Sequence, residues 1–129
     1  MSTNADHRAN PDLIRGLLKA YVDKDRPAAE ALLAPAFSFT SPLDNTLGRA
    51  AYFDICWPNS QNFESFDVCD LIEDGERVVM TYEATLSDGK RFRNVEIHTV
   101  REGLIASVEV YFGWNVPHEV PPGKHRDTD

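Results

Sequence analysis

The sequence predicts an α+β fold, with three N-terminal helices packed on one face of an antiparallel sheet. Apolar residues recur at helical spacing near the start of the chain. After residue 62, three turn signals, "EDGE", "SDGK" and "REGL", stand about one hairpin apart. Helices first and strands later is the pattern of a domain whose helices cover one face of its sheet.

The first helix starts at "NPDL": Asn10 can cap it, Pro11 suits its first position and Asp12 suits its positive end. Leu13, Ile14, Leu17, Leu18, Tyr21 and Val22 then form one apolar stripe. A second short helix fits "RPAAEALLA", with Asp25 as its cap and Pro35 beyond its end. "AFSFTSP" reads as a short strand closed by a turn. "TLGRAAYFDICW" reads as a third helix that buries Ala51 and Ile55, with Tyr52 and Cys56 beside them. The turn signals then separate strands at about 63–72, 76–86, 90–101 and 104–114, a four-strand meander. In the last of these Val108, Val110, Phe112 and Trp114 share one face, and Ser107, Glu109, Tyr111 and Gly113 the other.

A chain of 129 residues makes one domain, able to bury roughly two-thirds of its unfolded surface. Thirteen Lys and Arg against 21 Asp and Glu leave a net charge of −8, which repels nucleic acid and anionic membrane surfaces. No apolar run approaches a bilayer span, and "MSTNADHRAN" lacks the apolar stretch of a signal peptide. Cys56 and Cys69 suit reduced thiols rather than a disulfide framework, so a cytoplasmic protein is expected. His7, His118 and His125 lie in polar ends, and no Cys/His spacing resembles a metal-ligand set. Phosphate-cradling glycine motifs and a nucleophile elbow are also missing, so a cofactor-free protein is expected.

Helix, short helix, strand, helix and a long meander is the element order of the nuclear transport factor 2-like superfamily. At "FSFTSPLDN", "GRAAYFDICWP" and "GKRFRNVEIHTVREGLIASVEVYFGW" the sequence resembles a SnoaL-like member of it, over about residues 10–115. The resemblance implies a domain at 10–116, between a disordered N-terminus at 1–9 and a flexible tail at 117–129. It also implies a cone, in which a curved sheet curls around the first helix to enclose a mostly apolar pocket. Members are commonly homodimers through the outer sheet face. Some are isomerases, cyclases, dehydratases or epoxide hydrolases, and others only bind ligands. By the same resemblance the ketosteroid isomerase general base falls on Ser41 and its phenolic donor on Leu17. The acids and arginine of the epoxide hydrolases fall on Val79, Thr81 and Val110. Neither known chemistry is therefore expected.

Residues 93–100, "RNVEIHTV", set the central question. As a strand, Val95 and Ile97 point one way, and Asn94, Glu96 and His98 the other. On an ordinary half-buried sheet the Glu/His face would meet water, with Glu96 paired to Arg91 or Arg93. The resemblance places His98 at the isomerase's oxyanion-hole position, facing the pocket, with Glu96 beside it. There His98 could transfer a proton and Glu96 could hold its tautomer. Asp44 is a third candidate, either as a base near the pocket mouth or as the cap of the third helix. The same resemblance lines the pocket with Val110, Phe112 and Trp114. Phe92, Tyr52 and Trp57 read as core that could shape it, the last two with a polar tip for a ligand. The expected function is a pocket for a small, mostly apolar organic molecule, with cofactor-free acid–base chemistry of the isomerase, cyclase or dehydratase type. The alternative is a non-catalytic binding or dimerisation module.

Overall fold

The computed structural model describes residues 9–123. Most of the two ends expected to be loose, residues 1–8 and 124–129, lies outside the described residues. Helix α1 spans Asn10–Asp23 and buries Leu13, Ile14, Leu17 and Ala20. Each of its large aliphatic side chains contributes about 1.5–3 kcal/mol by leaving water. Asn10 is the first helical residue rather than the cap: the Ala9 carbonyl accepts from Asp12 N at 2.9 Å, and no side chain caps the helix. Helix α2 spans Arg26–Leu32, and Asp25 caps it as its position suggests, accepting from Ala28 N at 3.1 Å.

Strand β1 (Leu33–Ser41) then pairs with β2 (Asp44–Gly48), where the sequence suggested the start of a helix. Thr46 takes a positive φ of 60°, outside the right-handed helical region, and Leu47 and Gly48 pair with Phe39 and Ser38 of β1. Helix α3 consequently occupies only Arg49–Ile55. The later start turns Tyr52 and Phe53 into the core and leaves Ile55 55 % exposed, against the expected burial of Ile55. A 3₁₀ helix over Trp57–Asn62 buries Trp57 and leads into the meander.

The meander consists of β3 (Phe63–Asp74), β4 (Arg77–Leu86), β5 (Arg91–Arg101) and β6 (Leu104–Asn115), close to the expected bounds. Its turns place Gly75 and Gly103 at φ of 61° and 77°, where a side chain would be strained. The six strands form one curved, unclosed sheet in the order β2-β1-β6-β5-β4-β3. The sheet is mixed rather than wholly antiparallel, because β1 runs parallel to β6. A parallel pair needs a long crossover, which α3 and the first three meander strands supply.

Register decides the faces. Val78, Met80, Tyr82 and Ala84 of β4 stand opposite His98, Glu96, Asn94 and Phe92 of β5. On the far side Val108, Val110 and Phe112 of β6 stand opposite His98, Glu96 and Asn94. These residues form the concave inner face, over which α1 packs. Val95 and Ile97 lie on the outer face, where Arg91 and Arg93 pair with Glu83, and Arg91 also with Asp67. Glu96 is thus on the opposite face from both arginines. No helix among the described residues is long and apolar enough to cross a membrane.

Candidate functional site

The concave face of the sheet, α1, α3 and the 3₁₀ helix enclose a cavity of about 520 Å³, a size that suits a small organic molecule. Its walls are mostly apolar: Leu17, Leu18 and Tyr21 come from α1, Phe63 and Phe66 from β3, and Val108 and Val110 from β6. The mouth is marked by Leu43, Phe112 and Trp114, which are 80 %, 53 % and 50 % exposed. Trp114 stacks on His118, ring centroids 4.5 Å apart.

One polar cluster breaks the apolar wall. Glu96 lines the cavity, and its Oε2 accepts from the Tyr82 hydroxyl at 2.8 Å. Asn94 Nδ2 donates to Tyr82 Oη at 3.4 Å, while Asn94 Oδ1 accepts from the Gly113 backbone N–H at 3.1 Å. That backbone donor fixes which way round the amide sits. Glu96 Oε1 lies 3.0 Å from His98 Nε2, and His98 Nδ1 lies 3.2 Å from the carbonyl oxygen of Val78.

Both nitrogens of His98 therefore face acceptors. A neutral imidazole has one N–H and one lone pair. With its proton on Nδ1, the Nε2 lone pair meets Glu96, which must then be protonated. With both nitrogens protonated, Glu96 is a carboxylate. In either state one proton lies between Nε2 and Oε1, and the pair is neutral overall. Neutrality suits a histidine with no solvent exposure, since an unpaired buried charge would be costly.

A second polar group stands on the helical side, where the hydroxyls of Tyr21 and Tyr52 hydrogen-bond to each other. Only one hydroxyl hydrogen can lie between the two oxygens, so the other O–H remains free to donate. Burial pushes both phenols above the usual tyrosine range. Burial does the same to Tyr82, with the charge of Glu96 adding to it. All three are proton donors at neutral pH. The Cys56 thiol on the same wall is pushed up to about 11 by burial, helped by the charge of Asp44.

The expected residues are distributed unevenly over this site. Glu96, Asp44, Tyr52, Phe92, Val110, Phe112 and Trp114 all line the cavity. His98 is on the inner face but has no surface on the cavity; it stands behind Glu96, sealed by the core. Trp57 also lies off the cavity wall, buried at the edge of Tyr21 with ring centroids 4.8 Å apart. Asp44 does not cap α3, whose N-cap is Gly48 with no side-chain bond. It stands in β2 instead, and Ser41 Oγ donates weakly to it at 3.5 Å. Leu17 and Ser41, the positions matched to isomerase residues, both line the cavity. Tyr21, one helical turn beyond Leu17, supplies a phenol on the same face.

Tyr82, Asn94 and Tyr21 belong to the site but were not singled out from the sequence. The signal for Tyr82 was present: it lies on the same alternating face as Val78 and Met80, an apolar stripe interrupted by one phenol.

The sequence pattern of the SnoaL-like domain matches residues 14–108. No curated protein matches the chain. An NTF2-like protein of unknown function from Burkholderia xenovorans LB400 superposes with a TM-score of 0.73 at 17 % identity, covering 88 % of this chain and 88 % of its own. A candidate ketosteroid isomerase from Kribbella flavida DSM 17836 gives 0.70 at 24 % identity, over 90 % of this chain and 84 % of its own. IdmH, a candidate polyketide cyclase from Streptomyces antibioticus, gives 0.68 at 20 % identity, over 80 % and 91 %. At these identities the likeness is one of fold.

Proposed function

The chain belongs to the SnoaL-like domain family, and on that footing we propose that its cavity binds a small, mostly apolar organic carbonyl compound and moves a proton on it without a cofactor. The observation that carries this is the Glu96 carboxyl on an apolar cavity wall, held by Tyr82 and His98. Isomerisation, aldol cyclisation and dehydration share one step, removal of a proton from the carbon beside a carbonyl. Glu96 takes that proton; the C–H electron pair becomes the new C=C bond, and the carbonyl oxygen becomes an enolate oxygen. The free O–H of the Tyr21–Tyr52 pair donates to that oxygen as its charge grows. His98 acts through Glu96: it keeps the shared proton on the far side, leaving a carboxylate as base. The roles expected for the two residues are thereby exchanged, with Glu96 the acid–base group and His98 its positioning residue. Relatives of the same fold described as candidate isomerase and cyclase are consistent with this chemistry. We place a homodimer contact on the outer sheet face as part of the same proposal; the partial exposure of Val95 and Ile97 there supports it.

The test is turnover of a panel of neutral ketones and hydroxy-lactones. Glu96→Gln, nearly the same shape, should lose about 10²–10⁴-fold in rate with its circular dichroism unchanged. His98→Gln should lose less and shift the pH profile of the rate. Full activity in Glu96→Gln would remove the mechanism.

A non-catalytic binding module is the second reading, and one observation favours it. Both carboxyl oxygens of Glu96 are already engaged, as in a network that only holds strands together. Saturable binding of panel members without product would select it.

A further inference from the structure

With the cavity taken as a ligand site, the charge of its lining points to the ligand's charge. Among the described residues that line it, none is Lys, Arg or His, while two are carboxylic acids, Asp44 and Glu96. Each acid stands differently. Glu96 shares a proton with His98 and accepts from Tyr82, so its charge is offset and its oxygens are engaged. Asp44 receives only the 3.5 Å contact from Ser41 Oγ, and no Lys or Arg among the described residues pairs with it. It follows Leu43, the most exposed large apolar residue on the lining, and so stands at the open end.

The same lining is rich in aromatic rings: Tyr21, Phe39, Phe63, Phe66 and Phe92 inside, and Phe112 and Trp114 at the mouth. Ring faces carry negative potential and attract cations, and they offer nothing to an anion. The whole chain adds a net charge of −8 to the same bias. A carboxylate or phosphate would find no ion-pair partner in the lining and would meet the Asp44 carboxyl at the mouth. An ammonium would find an acid with spare acceptor capacity beside aromatic walls.

We propose that the preferred ligand is an organic amine, protonated in solution, whose ammonium pairs with Asp44 at the cavity mouth while its uncharged body fills the aromatic interior toward Glu96. For the proposed proton transfer, this makes the substrate class an amine-bearing carbonyl compound rather than a keto acid or a phosphorylated ketone.

Calorimetric titration of the full-length protein with 2-naphthylmethylamine, 2-naphthylmethanol and 2-naphthoate separates the effects, since the three share a ring and differ in charge. The amine should bind about tenfold more tightly than the alcohol, and the carboxylate more weakly than either. In Asp44→Asn the ratio of amine to alcohol affinity should fall to near one. A salt titration of the wild-type protein gives a second reading: raising sodium chloride from 50 to 500 mM should weaken the amine and spare the alcohol. Equal binding of amine and alcohol, or an amine preference that survives both Asp44→Asn and salt, overturns the assignment to Asp44 while leaving the ligand site standing. If none of the three binds, the ligand-site reading fails and this assignment fails with it.

Discussion

At Tyr82 a single hydroxyl joins two roles, donating to Glu96 and accepting from Asn94 in a wall that is otherwise Val, Met and Ala. Burial holds this phenol and those of Tyr21 and Tyr52 above the ordinary tyrosine value of 10. The consequence for stability has a definite sign. Below about pH 10 both folded and unfolded chains keep these protons, so the contribution is fully present. Above it the unfolded chain releases protons that the folded chain retains, and stability falls, by up to about 1.4 kcal/mol per pH unit for each phenol. Urea denaturation should therefore give steady stability from pH 7 to 9 and a steep decline between 10 and 11.5. Tyr82→Phe should show a shallower decline, since it removes one of the three groups. An equal slope in wild type and Tyr82→Phe would show that the phenol is not sheltered. The alternation in "RNVEIHTV" gave two faces, and the resemblance chose the inner one for Glu96 and His98. Parity sets a face and not a depth, which is why His98 could be placed inside but not seen to stop short of the cavity.

Among the elements, the β5–β6 pair contains the irregularity that shapes the wall. The register shifts between Phe92 and Asn94, and Gly113 lies opposite, its N–H bonded to Asn94 Oδ1. A methyl group at Gly113 would overlap the Arg93 carbonyl oxygen, a backbone atom that cannot swing aside. Gly113→Ala should cost about 3 kcal/mol and displace Asn94 from Tyr82. Gly48→Ala, with open space around it and an ordinary φ of −74°, should cost under about 1 kcal/mol. Equal losses in the two variants, measured by urea denaturation, would contradict the close approach. The hairpin strands were legible because each turn carries a Gly between alternating segments. The start of α3 was not, because "TLGRAAYF" has helical spacing. Pairing with β1 across the tight turn at Pro42 and Leu43 holds Asp44–Gly48 extended and overrides that spacing. The parallel contact of β1 with β6 joins segments far apart in the chain, so it could not be read from either strand.

Over the whole molecule, one face of the sheet is occupied by an ion-pair ladder, Asp67, Glu83, Arg91 and Arg93, and the other by a cavity lined by Glu96, with His98 behind it. The order of elements sufficed for the α+β class and, with the family resemblance, for the curved sheet, but not for β2 or the parallel β1–β6 pair. The cavity, by contrast, draws on α1, α3 and every strand, so its composition depends on curvature that no segment encodes alone. If Glu96 accepts a proton from a bound carbonyl compound, as proposed, the protein must catalyse exchange of that compound's α-protons with solvent. Proton NMR in deuterium oxide tests it directly, by following loss of the α-proton signals of 2-tetralone with and without the protein. Exchange should be faster with the wild-type protein, saturate with ketone concentration and return to the buffer rate in Glu96→Gln. Saturable binding of the ketone with exchange no faster than buffer would contradict the proposal, and would leave the protein a binder rather than a catalyst.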